Sequence, residues 1–314
     1  MTKATMRAIR QEVLGGPEVL REVEVERPAP GFSQVLVKVH AAGVNPTDWG
    51  HRAFGVFLGQ PPFILGWDVS GTVVETGFGV TIFKPGDQVF GMLPYPFGVG
   101  SHAEYVVGPA RAFAPKPRGM DHVAAGALPL TGLTAWQALN DTAAVRAGQR
   151  VLIHAAAGGV GHLAVQIAKS LGAYVIGTAS SGHHKMLRDL GADELIDYTT
   201  TDFTVAVNNV DVVLDPISGE YSARSLSVLN PGGTLVSLLP FGEEIPAEAA
   251  RRGVRAELML VEADHQGMTS LGALVTAGTL RPVIAATFPL ADAAKAHELG
   301  ESRHVAGKLV LTMV

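Results

Sequence analysis

Residues 154–166 read HAAAGGVGHLAVQ. The stretch RVLIHA (150–155) before it is a short apolar strand. After it Val160, Leu163, Ala164, Ile167 and Leu171 recur at helical spacing, and Gly172 marks the stop. A strand, a glycine turn and a helix N-terminus aim backbone N–H groups and the positive helix end at an anion, and side chains there would block it. In the G-x-G-x-x-G register the positions are Ala156, Gly158 and Gly161, with alanine replacing the first glycine. Gly158 would admit a phosphate, and Gly161 would let helix and strand pack closely. The turn therefore reads as a dinucleotide-binding element.

The surrounding pattern supports that reading. AYVIGTA (173–179), ELID (194–197), DVVLDPI (211–217), TLVSLL (234–239) and VRAELMLVE (254–262) are further strands, separated by helical stretches such as HHKMLRDLG (183–191). Six strands alternating with helices predict a doubly wound parallel sheet of the Rossmann kind. The first 120 or so residues differ: VLVKVHAAGV (35–44), SGTVVETG (70–77) and DQVFGML (87–93) are β-rich runs bounded by Gly and Pro. No long helical period stands out there, so a compact, irregular β-barrel-like domain is expected. The last 50 residues predict a helix at about 267–277, a strand within 281–290, a helix to about 299 and a final strand. These return to the first domain. The boundaries read as 1–123 with 265–314 for the β-rich domain, and 124–264 for the α/β domain.

Composition narrows the function. The net charge of −5 and the absence of a basic run argue against a nucleic-acid surface. The chain has no cysteine, which excludes disulfides, thiolate zinc sites, iron–sulfur clusters and a cysteine nucleophile together. No apolar run approaches a membrane span and the N-terminus has no apolar h-region, so a cytoplasmic protein without membrane contact is expected. The end of the second α/β strand, GTASSGHHK (177–185), carries no acid before Asp189 to take the ribose hydroxyls of NAD. Ser180 and Ser181 offer hydroxyls, and Lys185, His183 or His184 offers a counter-charge, so NADPH is the expected cofactor; a solvated loop is the alternative.

In combination HAAAGGVGHLAVQIAKSLGAYVIGTAS, PLTGLTAWQAL (129–139), AAGVNPTDW (41–49), GWDVSGTVVETG (66–77) and SRHVAGKLVL (302–311) resemble the medium-chain dehydrogenase/reductases, and most closely their zinc-free quinone oxidoreductase branch. The resemblance covers nearly the whole chain. It implies a GroES-like catalytic domain, a Rossmann domain and a homodimer, for which TLVSLL is the candidate edge strand. It also implies cofactor contacts. Asn45 matches a residue near the nicotinamide ribose, Thr131 one at the nicotinamide, and Ala157, Gly158, Gly159 and Val160 the turn itself. Ser180, Lys185 and Tyr198 match the 2′-phosphate end, Ile217, Leu238 and Leu239 match strand ends beside the cofactor, and Arg303 matches a residue reaching it. Asn45 before Pro46 also suits a turn, Thr131 a helix cap, Tyr198 an exposed strand end, and the leucines a core.

Zinc-dependent relatives carry a GHE motif where this chain has Gly66–Trp67–Asp68, and neither HxH nor HxxxH occurs. No metal is expected. Without a Lewis acid the hydride acceptor must spread charge by itself, as quinones and activated alkenes do. The leading reading is an NADPH:quinone reductase. An alkene or enoyl reductase acting on α,β-unsaturated carbonyls is one alternative, a non-enzymatic NADPH-binding protein another. No catalytic acid is assigned; Tyr95 is a weak candidate, and ordinary packing beside two prolines would also explain it. His51, Asp48, Phe54, Phe57, Phe63, Trp67 and Phe97 are candidates for a pocket lining.

Overall fold

The computed structural model describes residues 4–302 and 304–313. The chain separates into two compact units, Met1–Leu133 with Glu262–Val314, and Thr134–Val261. The first unit holds strands β1 (Thr5–Gln11), β2 (Arg21–Glu26), β3 (Gln34–Val44), β4 (Phe63–Ile64), β5 (Asp68–Thr76), β6 (Gln88–Met92), β7 (Tyr105–Pro109) and β8 (Phe113–Pro115). Its helices are α1 (Pro46–Phe54), α2 (His122–Gly126) and α3 (Pro129–Trp136), the last of which carries the chain out of the unit. The second unit contains β9 (Arg150–Ile153), α4 (Gly161–Ser170), β10 (Tyr174–Thr178), α5 (His184–Asp189), β11 (Glu194–Ile196) and α6 (Phe203–Ala206). It continues with β12 (Val210–Asp215), α7 (Glu220–Ser225), β13 (Leu229–Ser237), α8 (Glu244–Arg252) and β14 (Arg255–Leu258). The chain then returns through α9 (His265–Thr276), β15 (Ile284–Pro289), α10 (Ala293–Glu301) and β16 (Lys308–Thr312).

In the second unit all strand pairs are parallel, in the order β11-β10-β9-β12-β13-β14. The chain starts in the middle of the sheet, runs out to β11, crosses back and runs out to β14. The order therefore reverses between β9 and β12, and the C-terminal strand ends there open a crevice that suits a ligand. Leu152, Ile176, Val213 and Leu235 from four strands pack with Phe203, Leu226 and Ile245 in one buried cluster. The run TLVSLL was the expected sheet edge, and the structure corrects that. Residues 234–237 belong to β13, which is hydrogen-bonded on both sides, and the edges are β11 and β14.

In the first unit a seven-stranded sheet runs β15-β16-β3-β5-β6-β8, and β7 also pairs with β3. The first half of β3 pairs with β5 and β7, its second half with β16, and the register against β5 shifts along the way. Ile9, Leu20 and Val44 from the start of the chain share a core with Leu290, Ala296, Leu309 and Leu311 from its end. The return of the chain is thus what closes the first core. Helix α1 was not visible as a period because its inward face is polar: Asp48, His51 and Arg52 are its buried residues. Arg52 is tied to α10, with its guanidinium 2.7 Å from Glu301 and 3.0 Å from His297 Nδ1, and its Nε donates to Gly15 O. Among the described residues no helix is long and apolar enough to cross a membrane.

Candidate active site

The turn after β9 is held from two neighbouring strands and from α7. His154 N donates to Leu214 O at 3.0 Å, Ala156 N donates to Thr178 O at 2.9 Å, and the His154 ring bridges Thr178 Oγ1 and Ser225 Oγ. Ala155 sits in the left-handed region at φ 46°, and its carbonyl oxygen accepts from Gly158 N at 2.9 Å. Gly161 opens α4 directly over this bend. A Cβ there would lie 2.4 Å from Ala155 O and 2.7 Å from Ala156 Cα, so only glycine lets the helix begin this close to the strand. Of the amides at this helix start, His162 N donates to Gly158 O at 3.1 Å, and Leu163 N and Ala164 N donate to Val160 O at 3.1 and 2.9 Å. These amides follow Gly158, Gly159 and Val160, which are partly exposed, while Ala157 beside them is buried. The cradle suits an anion such as a diphosphate.

Two other groups of expected cofactor residues are brought together in this unit. The Asp215 carboxylate accepts from Ile217 N at 2.9 Å, and its carbonyl accepts from Leu238 N at 3.0 Å, which joins the ends of β12 and β13. Ile217 and Leu239 are partly exposed there, and Asp215 is anchored by Ser222 Oγ at 2.6 Å. At the ends of β10 and β11, Ser181 N donates to Asp197 Oδ2 at 3.0 Å, next to exposed Tyr198. Bonds from the Thr199 hydroxyl and amide, and from Ser181, push the Asp197 carboxyl down to about 2. An acid therefore does stand beside this strand end; it comes from β11, where a scan along the second strand could not find it. Lys185 is 88% exposed and pairs with Asp189 at 2.7 Å. Exposed pairs of this kind contribute about 0–1 kcal/mol, so the pairing leaves the ammonium able to swing to another anion. Arg303 lies outside the described residues.

In the first unit Asn45 and Leu130, the neighbour of Thr131, converge on Asp68. One Asp68 oxygen accepts from Asn45 Nδ2 at 2.8 Å, and the other accepts from Leu130 N, at the start of α3, at 2.6 Å. Lys308 of β16 donates to Asn45 Oδ1, to Val44 O at 3.3 Å and to Asp68 at 3.5 Å. Gly43 makes room for this, since a Cβ there would sit 2.2 Å from Asp68 Oδ2. Asn45 also begins α1, where the Asp48 carboxylate accepts its N–H at 2.7 Å. The side chain of Asn45 is thus fully committed to the knot and is buried. Thr131 is buried too, its hydroxyl donating to Ala127 O at 3.3 Å. Burial, reinforced by Asp68, pushes the Asp48 carboxyl up to about 8 against the pull of the Asn45 amide and Lys308. With Asp48 protonated, the buried cluster is one ammonium and one carboxylate, and its net charge is zero.

Beside this knot stands an aromatic wall. Trp67 is fully buried and lies 5.3 Å from Tyr95 and 5.0 Å from His51, ring centre to ring centre. Phe57 is partly exposed and stands edge-on to Tyr95 at 6.1 Å. Thr47 Oγ1 is 3.0 Å from Tyr95 Oη and 3.1 Å from His51 Nδ1. Sequence reading singled out Tyr95 and His51 but missed Thr47, which links them. Among the described residues no three His, Cys, Asp or Glu side chains are grouped as a metal centre requires.

Two outcomes follow from this geometry. Gly161→Ala forces a backbone clash; it should destabilise the protein by about 1–3 kcal/mol and weaken dinucleotide binding about tenfold or more, read by urea midpoint and by fluorescence titration. Asp48 binds its proton more tightly folded than unfolded. Stability should therefore fall as pH rises from about 4 to about 8, and level off above that. Asp48→Asn keeps the acceptor for the Asn45 amide, and should flatten that slope in denaturation measured across the same window.

Residues 190–311 match the zinc-binding dehydrogenase family, and residues 31–118 match the alcohol dehydrogenase GroES-like domain. The chain is 37% identical to the 2-haloacrylate reductase of a Burkholderia species, over 95% of this chain and 96% of that one. It superposes on the quinone oxidoreductase from Coxiella burnetii with a TM-score of 0.93 at 38% identity, covering 99% of this chain and all of the other. Escherichia coli quinone oxidoreductase complexed with NADPH matches with a TM-score of 0.89 at 29% identity, again over 99% of this chain and all of the other. With a GroES-like unit, a Rossmann unit and reductases as its relatives, the chain is an NAD(P)H-dependent oxidoreductase of the medium-chain dehydrogenase/reductase superfamily, in its quinone oxidoreductase branch.

Proposed function

We propose that this oxidoreductase passes hydride from NADPH to quinones without the help of a zinc ion. The observation that carries the reading is the aromatic wall of Trp67, Phe57 and Tyr95, in which Trp67 stands at the histidine of the GHE motif of zinc-dependent relatives. Trp67 offers no lone pair to a metal, and both Asp68 oxygens are spent on Asn45 and Leu130. A flat conjugated acceptor suits an aromatic, largely apolar surface. NADPH supplies the hydride when bound. The cradle at Gly158–Gly161 would hold its diphosphate, and Ser180 and Lys185 its 2′-phosphate. The likeness to an NADPH complex supports that choice of cofactor. Asp197 opposes it, and Lys185 must outweigh that charge.

A second reading, reduction of an activated alkene, is favoured by the 2-haloacrylate reductase likeness. The two separate in one assay: loss of the 340 nm reduced-nicotinamide absorbance with NADPH or NADH, each against 9,10-phenanthrenequinone, an enone and a simple ketone. Quinone turnover with NADPH supports the first reading, enone turnover alone the second, and ketone turnover defeats the metal-free argument. Lys185→Ala should weaken NADPH about tenfold and leave NADH unchanged, since only the phosphate is lost to it. We also propose a homodimer formed through the exposed edge of β14, whose Leu258 is half exposed. A monomer in size-exclusion chromatography at micromolar concentration would defeat that.

A further inference from the structure

Five polar side chains meet at the aromatic wall, and burial separates them. His51, Asp48 and the Trp67 indole are almost fully buried, whereas Thr47 and Tyr95 keep partial access to solvent. Of these groups, Tyr95 is the one that both titrates and can be reached by a bound molecule. Its hydrogen bonding also has a direction. His51 Nδ1 lies 2.7 Å from Thr47 O, which can only accept, so Nδ1 carries the ring proton. Towards Thr47 Oγ1, 3.1 Å away, that nitrogen can then only donate. Tyr95 Oη, 3.0 Å from Thr47 Oγ1, can take the Thr47 hydroxyl hydrogen. In that arrangement the phenol O–H is free to point to a bound molecule.

From this arrangement we propose that Tyr95 is the hydrogen-bond and proton donor to the carbonyl oxygen of the acceptor, and that Thr47 and His51 are positioning residues that keep the phenol O–H pointing outward. The proposal rests on the reading of the protein as a reductase of conjugated carbonyls. Hydride addition to such an acceptor breaks a carbon–oxygen or carbon–carbon π bond and leaves the electron pair on oxygen, as a hydroquinone anion or an enolate. The Tyr95 proton moves to that oxygen, and the phenolate regains a proton from water. One hydride and one proton are thus added, and the residue ends as it began. The bond from Thr47 stabilises the transient phenolate. At rest, burial and the nearby Asp48 carboxyl hold the phenol above its ordinary value, so the proton is in place at neutral pH.

The experiment compares wild type with Tyr95→Phe, Thr47→Val and Thr47→Ser, using NADPH with 2-cyclohexen-1-one and with 9,10-phenanthrenequinone. General acids contribute about 10²-fold or more. Tyr95→Phe should lose kcat by about that factor with the enone, whose enolate is strongly basic, and by less with the quinone. Thr47→Val should fall part of the way, and Thr47→Ser, which restores the hydroxyl, should recover. A titration without cofactor, following tryptophan fluorescence with phenanthrenequinone, reads the hydrogen bond alone. Its dissociation constant should rise about fivefold to tenfold in Tyr95→Phe. Full rates and full affinity in Tyr95→Phe overturn the proposal, as does Thr47→Ser behaving like Thr47→Val. A wild type inactive with both acceptors overturns the reductase reading itself. The titration then still decides the hydrogen bond, and unchanged affinity in Tyr95→Phe overturns it.

Discussion

The buried carboxylate of Asp68 is the point to which the first unit is tied. Its two oxygens take hydrogens from Asn45 and Leu130 and face the ammonium of Lys308, so the starts of α1, α3 and β16 are fixed to the start of β5. Taking an ion out of water costs several kcal/mol even after relaxation, and such a cost is tolerated only where every lone pair and proton is used. That condition explains Gly43, which leaves space for the carboxylate, and Asn45, whose amide is the one neutral group able to bridge acid and amine. It also explains the position of Asp48. A third ionised group would leave the cluster one charge out of balance, and burial holds its proton on. The aromatic wall with Thr47, His51 and Tyr95 is built out from the helix that this knot anchors.

Local pattern revealed much of the fold and less of the site. The alternation of strands and helices after residue 150 predicts the parallel sheet, and the glycine turn sits where its spacing requires. Strand order is not a local property. TLVSLL has the composition of an edge or of an interior strand alike, and only the position of β14 decides that it is interior. Helix α1 escaped notice because hydrophobic periodicity searches for apolar residues, whereas α1 faces inward with Asp48, His51 and Arg52. The link from Tyr95 through Thr47 to His51 spans 48 residues between the first two and depends on how α1 meets a distant loop, which no short motif encodes.

On the proposed reading, cofactor choice is a contest between charges at one strand end. Asp197 is fixed there by the Ser181 amide and the Thr199 hydroxyl, and it stays ionised. Lys185 is the second residue of α5, exposed, with Asp189 as a weak partner. A fixed acid favours ribose hydroxyls and an exposed base favours a phosphate, so the balance turns on how far an exposed side chain can outweigh a pinned one.

The return of the chain carries a consequence for synthesis. Thr134–Val261 forms a unit continuous in sequence, whereas the first unit needs β16, and with it Lys308, to complete both its sheet and its polar knot. On the ribosome the inserted unit has all of its strands available while the surrounding one still lacks its last. Asp68 and Asn45 must therefore wait, with their partner unmade, until the codon for Lys308 has been read.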